Sequence, residues 1–372
     1  MSASPEPPTL RQISPTEAEF RGRRLVYFGG SDYFRLSWHG RVRAAVAEAA
    51  AEEGHNVAAS RMTTGNHPIY AELERSLAKF FGFPAALLTA TGYTAPLTAA
   101  QALSGLVTHV IVDERAHSCL KDAARLLEVE TVFFAHRDPE ALKQAIRACG
   151  KKSNPLVLTD GLSPLEGTVP PLTEYLTVLP PDGLLLVDDA HGVGTLGRRG
   201  RGVIETLSRR DQRVVLTVTL SKALGAYGGA VLGPRWLRER ALTQSGIHSG
   251  STPLPPPLAA GALAALDLLH ADGTELRMRL RANVLAVKEV FRPSRPDWLS
   301  RPGPTFSVAL RDSRRQKQFQ RTLLVAGIYP TLIRYRNGPA DSFFRFAISS
   351  EHSVSQLTAL RGVLAQFTGD FL

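Results

Sequence analysis

At 372 residues, 44% of them apolar, and with a formal net charge of +10 at pH 7, the chain reads as an ordinary soluble globular protein with a core large enough for two domains. Its two cysteines, Cys119 and Cys149, exclude a disulfide framework and point to a reducing, cytoplasmic compartment, and the longest apolar stretch, 253–271, is broken by prolines, Asp267 and His270, which argues against a membrane span. No aromatic-interleaved basic stripe or zinc-finger spacing supports nucleic-acid binding, so the charge leaves two readings: a solvated arginine-rich surface, or a basic rim around Arg198, Arg199, Arg201, Arg209 and Arg210 that attracts an anionic substrate.

In chain order, the opening MSASPEPPTL is polar and proline-rich and reads as a loose arm, which continues through Asp32-Tyr33-Phe34 to about residue 40. Ile69, Leu73, Leu77 and Phe80 share one face of a helix over 68–80, with Pro68 suited to its first turn. Thr91-Gly92-Tyr93-Thr94 opens an alanine- and leucine-rich helix. Asp138 caps another that runs through Ala148. The runs 110–112, 156–159, 184–187, 214–218 and 230–232 are short and unbroken, as strands buried on both faces should be, and they alternate with the helices. That order predicts an α/β fold with a mostly parallel central sheet, whose strand ends are where ligands bind. The prolines at 253 and 255–257 precede a helix over 258–270, strands follow at 306–310 and 344–349, and the proline-rich 292–304 reads as a loop. The expected division is an arm over 1–40, a large domain over 41–252 and a smaller C-terminal α+β domain over 253–372.

Two of these strands end in reactive groups. The run at 184–187 leads into Asp188-Asp189-Ala190-His191, and the run at 214–218 into Thr219-Leu220-Ser221-Lys222. Only eight lysines stand against thirty-six arginines, and Lys222 lies among small and apolar residues, where desolvation lowers its pKa and makes the amine nucleophilic. A lysine able to form a Schiff base beside a carboxylate able to hold a pyridine nitrogen protonated is what pyridoxal 5'-phosphate (PLP) requires. A competing pattern, Gly192-Val193-Gly194-Thr195-Leu196-Gly197, satisfies G-x-G-x-x-G and would suggest nicotinamide-dinucleotide binding. Its glycines follow Asp-Asp-Ala-His instead of the strand itself, however, and Gly200 and Gly202 break any immediate helix.

The segments VDDAHGVGTLGRRGRG (187–202) and TLSKALGAYGG (219–229) resemble those of the α-oxoamine synthases, PLP enzymes of aminotransferase fold type I, and the resemblance runs from about Phe28 to about Leu364. It implies that Lys222 carries the cofactor, Asp188 faces its pyridine nitrogen, His191 bonds its phenolic oxygen and His117 stacks on its ring. It implies further that Gly92, Tyr93 and Thr219 bind the phosphate, that Ser251 and Thr252 reach the cofactor of a neighbouring subunit in a homodimer, and that Arg345 grips the amino-acid carboxylate. The implied reaction is a decarboxylative condensation of an amino acid with an acyl thioester, carried on coenzyme A or an acyl-carrier protein. An aminotransferase of the same fold is the alternative. Four positions depart from the family pattern: Ser31, Tyr70, Pro96 and Pro164. Ser31 and Tyr70 fall in segments that form the family's substrate pocket, so they are expected to shift substrate preference.

Overall fold

A computed structural model describes residues 8–334 and 342–372. In chain order the strands and α-helices are β1 (Arg11–Ser14), β2 (Glu17–Phe20), β3 (Arg23–Val26), α1 (Gly40–Glu53), α2 (Pro68–Phe81), β4 (Ala85–Thr89), α3 (Thr94–Leu103), β5 (His109–Asp113), α4 (Ser118–Arg125), β6 (Glu130–Phe134), α5 (Pro139–Ala148), β7 (Pro155–Asp160), α6 (Leu172–Val178), β8 (Leu184–Asp188), β9 (Val214–Thr219) and β10 (Gly229–Gly233). They continue with α7 (Arg235–Gln244), α8 (Gly246–Gly250), α9 (Pro256–Ala271), α10 (Gly273–Lys288), β11 (Thr305–Val308), α11 (Ser313–Val325), β12 (Leu332–Ile333), β13 (Phe343–Ala347) and α12 (Val354–Ala365).

The central sheet has seven strands in the order β4-β10-β9-β8-β7-β5-β6. Only β10 runs antiparallel to its neighbours. Alternation along each strand divides the sheet side chains between two cores. Val110, Val112, Leu156, Leu158, Leu186 and Val215 pack under α3, α4 and α7. Ile111, Val157, Leu185, Val187, Leu216 and Val218 join the larger core on the opposite face. The same parity carries to the strand ends, so Asp160, Asp188 and Thr217 point to the α4 side, while Asp189 points away from it.

Three expectations change. The expected N-terminal arm is ordered from Arg11 onward: β1, β2 and β3 form an antiparallel meander, with Arg21 and Gly22 both left-handed at its tight turn. Val26 then bridges to Ile328, which ties this segment to the C-terminal part of the chain; residues 1–7, the start of the expected loose arm, lie outside the described residues. The expected domain boundary at 253 precedes α9, but α9 packs against α1 and α2, with Gly261 letting α1 approach so closely that a Cβ there would come within 2.7 Å of Val46. The loop expected over 292–304 contains a short 3-10 turn, Pro296–Leu299, that buries Trp298 against Phe291 and Phe306. The strands β4, β6 and β12 were not expected from the sequence.

The helix starts follow local chemistry. The Asp138 carboxylate accepts from the backbone N–H groups of Glu140 and Ala141 at the start of α5. Pro68 opens α2 with His67 as its cap, and Gly82, left-handed, closes it.

Candidate active site

The carboxyl ends of β7, β8 and β9 form the floor of the site. Parallel register sets Asp160 beside Asp188, and Asp188 beside Thr217. Thr217 Oγ1 donates to one Asp188 oxygen at 3.1 Å and Cys119 Sγ to the other at 3.3 Å, so both oxygens are held. Burial pushes the Asp188 carboxyl up, and the nearby Lys222 cation works against this. Lys222 is shifted the other way: burial lowers its pKa, and the charges of Asp188 and Asp160 oppose that shift. A desolvated amine beside a carboxylate is poised to act as a nucleophile and as a proton carrier. Asp160 keeps its proton further into the neutral range, pushed up to about 8 by burial and by Asp188.

His117 caps the start of α4. Its backbone N–H donates to Asp160 at 2.9 Å, and burial holds its imidazole below the ordinary pKa, so the ring is neutral. Tyr93 stands edge-on to it with ring centroids 6.1 Å apart. His191 follows β8 and meets the Tyr33 hydroxyl through Nδ1 at 2.6 Å. These residues open on a cavity of about 620 Å³ whose lining includes His117, Asp160, His191, Ser307 and Arg345. Arg345 lies on β13, directly opposite Ser307 on β11, and makes no ion pair among the described residues. The Ser307 hydroxyl is likewise without a partner there.

At the other end of the floor, the turn from β4 to α3 closes onto β9. A Cβ at Gly92 would lie 2.5 Å from the Thr219 side chain, so only glycine permits this approach. The backbone N–H groups of Gly92 and Tyr93, which have no partner among the described residues, and the Thr219 hydroxyl meet at the turn before α3, an arrangement that suits a phosphate, whereas Thr94 and Ala95 bond back into that turn. The donor set therefore matches PLP part by part: a buried carboxylate for the pyridine nitrogen, a flat neutral ring for its face, a desolvated amine for its aldehyde carbon and an N–H and hydroxyl cradle for its phosphate.

The structure brings together Lys222, Asp188, His117 and His191, with Gly92 against Thr219 at one end, and Arg345 shares the cavity lining with His117 and His191. The exposed Tyr93 side chain turns its hydroxyl to Asp122. Ser251 donates to the Ile247 carbonyl at 2.6 Å, and Thr252 is exposed on the surface of the single protomer, away from the cavity. Two expected substrate residues do not line the cavity. Tyr70 is fully buried with its hydroxyl donating to the Leu254 carbonyl at 2.9 Å, and Ser31 sits outside the wall. Pro164 is on the cavity wall and Pro96 is buried inside α3. Asp160 was missed, although strand parity could have found it: it ends the 156–159 run as Asp188 ends the 184–187 run. Cys119 and Tyr33 gave no such signal.

The G-x-G-x-x-G pattern has a packing explanation. Gly194 and Gly197 are left-handed in successive turns, and no helix begins there. Gly192 and Gly202 leave room for the buried Asp189 carboxylate, which a Cβ at those positions would meet at 2.1 and 1.8 Å. The nicotinamide reading therefore falls.

The aminotransferase class I and II family model matches residues 25–364. An 8-amino-7-oxononanoate synthase of Methylobacterium radiotolerans is 35% identical, over 96% of this chain and 94% of its own. One from Nitrosococcus oceani is 32% identical, over 94% and 93%. A serine palmitoyltransferase of S. paucimobilis, solved with a bound PLP–myriocin aldimine, superposes with a TM-score of 0.89 at 28% identity, over 97% of this chain and 92% of that one. The chain belongs to the aminotransferase class I and II family. Within it, the chain is an α-oxoamine synthase, a PLP-dependent acyl-transferring enzyme of fold type I. No helix among the described residues is long and apolar enough to cross a membrane.

Proposed function

We propose that this α-oxoamine synthase condenses an amino acid with an acyl thioester and releases CO2, giving an α-amino ketone in the manner of the relatives named 8-amino-7-oxononanoate synthase. The observation that carries the reading is the placement of Asp188 at the end of β8 and of Lys222 just past the end of the adjacent parallel strand β9, near enough to shift each other's ionisation, beside a cavity lined by His117, His191 and Arg345. Bound PLP supplies an electron sink for the carbanion at the amino acid's α-carbon. The chain's residues do the rest. Arg345 pairs with the amino-acid carboxylate, and Ser307 beside it offers a hydroxyl. The Lys222 amine takes the α-proton, its burial favouring the uncharged form. Asp188, held at both oxygens, would hold the ring nitrogen of bound PLP, and the flat His117 would cover the ring face.

The far part of the cavity supports an acyl chain with an anionic end. Trp298, Phe306, Ile333 and Phe343 give the cavity apolar lining, and Lys288 and Arg301, the latter paired with Asp297, line the same cavity. Lys288 is 1% exposed and donates to the carbonyls of Arg301 and Gly303, with no carboxylate partner among the described residues. Ser31 and Tyr70 stand away from these walls, which removes their argument for an altered substrate. We also propose a homodimer in which Ser251 and Thr252 serve the partner's site, and a cytoplasmic enzyme whose two cysteines stay reduced.

The test is a panel of amino acids and thioesters, on coenzyme A and on a carrier protein, assayed for CO2 and free thiol. Release of both with an ω-carboxyacyl donor is the expected result. Conversion of the cofactor to its amine form without thiol release would make the protein an aminotransferase instead.

A further inference from the structure

We infer that Tyr33 fixes the tautomer of His191, so that the imidazole's single proton sits on Nε2, the nitrogen left to the cavity. The inference rests on the PLP-enzyme reading of the site but concerns a residue outside the cavity wall. Tyr33 is 1% exposed, and its hydroxyl lies 2.6 Å from His191 Nδ1, with the Ser31 hydroxyl as a second hydrogen-bonding neighbour. Burial pushes the phenol up to about 12, so it carries its proton throughout the neutral range. His191 is held well below its ordinary pKa, first by burial and then by the cations Lys222 and Arg345, so the ring is neutral and has one proton to place. A buried hydroxyl without an acceptor is costly; the Ser31 hydroxyl acts as a donor to the phenol oxygen and lowers its pKa, which leaves Nδ1 as the acceptor for the phenol's own proton. The phenol therefore donates, Nδ1 accepts, and Nε2–H becomes a donor aimed at an oxygen of whatever occupies the cavity.

The chain takes trouble to deliver this phenol. Asp32 accepts from the backbone N–H groups of Leu36 and Ser37, each at 3.0 Å, which closes the turn that carries Tyr33. The turn then lies against the loop after Lys222: a Cβ at Gly225, left-handed at φ 58, would come within 2.2 Å of the Ser37 nitrogen. From the other side, Ser350 donates its N–H to the Tyr33 carbonyl at 2.9 Å. Tyr33 is thus a positioning residue, fixed by its own turn and by two segments distant in sequence, and its hydroxyl acts on the reaction only through His191.

The decisive measurement is made without cofactor. In protein labelled with 15N-histidine, the His191 signals, assigned by their absence in His191→Asn, should show an unprotonated Nδ1 and a protonated Nε2 in the wild type from about pH 6 to pH 8. In Tyr33→Phe, checked for folding by circular dichroism, they should show a mixture of both tautomers. In the loaded enzyme, Tyr33→Phe should shift the visible absorption band of bound PLP. Loss of one hydrogen bond should also lower kcat by about tenfold with an unchanged KM for the amino acid. A wild type with its proton on Nδ1 would overturn the inference, as would a Tyr33→Phe protein with an unaltered tautomer. Failure of the wild type to bind PLP would overturn the reading of the site instead, and the cofactor-free spectra would still decide the role of Tyr33.

Discussion

The floor and the far wall of the cavity are built in opposite ways. The floor comes from three consecutive rungs of one parallel sheet, β7, β8 and β9, and its reactive groups lie at equivalent strand ends. Strand parity alone decides that Asp160, Asp188 and Thr217 share a face and that Asp189 does not. The far wall is assembled from β11 and β13, the end of α10 and the 3-10 turn at Trp298, segments with no common spacing. Regular backbone thus fixes the chemistry, whereas irregular packing fixes what the chemistry is applied to. The two aspartates of β8 make the same point at the scale of one bond: Asp188 is held by Thr217 and Cys119 at the site, and Asp189 is walled in by glycines on the other face.

If the floor carries the reaction, changes there should abolish it for every substrate. Lys222→Ala should lose turnover by roughly 10³-fold or more, and borohydride, which should fix PLP to the peptide containing Lys222 in the wild type, should label no other lysine. Labelling centred elsewhere would break the assignment. Asp188→Asn keeps the shape and removes the charge. PLP should still bind while α-proton exchange, followed by deuterium uptake, falls on the order of 10²-fold; exchange at the wild-type rate would refute the role given to Asp188.

Changes in the wall should instead discriminate among substrates. Arg345→Lys removes a planar, bidentate partner and should raise the amino-acid KM by about tenfold or more, with a smaller change in kcat, read from steady-state kinetics. Lys288→Met should cost an ω-carboxyacyl thioester about tenfold in kcat/KM and leave a plain acyl thioester of equal length unaffected. Equal losses for both donors would show that Lys288 only braces the Arg301 and Gly303 carbonyls.

The smallest effect is expected on stability. Asp160 is raised to about 8 by burial and by Asp188, so the folded, cofactor-free chain keeps a proton that the unfolded chain releases near the ordinary carboxylate value of 3.8. The stability from this proton is complete below about pH 4 and is lost as the pH rises through about 8. Denaturation midpoints of cofactor-free Asp160→Asn should accordingly depend less on pH across that window than those of the wild type. Parallel curves would show that Asp160 is not titrating there.

The unbroken runs at 110–112, 156–159, 184–187, 214–218 and 230–232 determined five of the seven central strands, because a strand buried on both faces must be apolar at every position. β6 escaped notice because Glu130 and Thr131 open it and Phe133 is exposed, as suits a sheet edge. The sequence also placed Asp188 and Lys222, since a strand end is a local feature: Asp188 follows its run directly and Lys222 comes four residues after the last residue of its own. Tertiary structure alone decided the rest. The expected arm pairs within itself as a meander, but its anchor, Ile328, lies some three hundred residues away, and Tyr70 turned inward because the Leu254 carbonyl was there to accept its hydroxyl. Cys119, Tyr33 and Lys288 acquire their roles from contacts with Asp188, His191 and Gly303. Periodicity records which way a side chain points from its own element, but it carries no information about which distant segment will arrive to meet it.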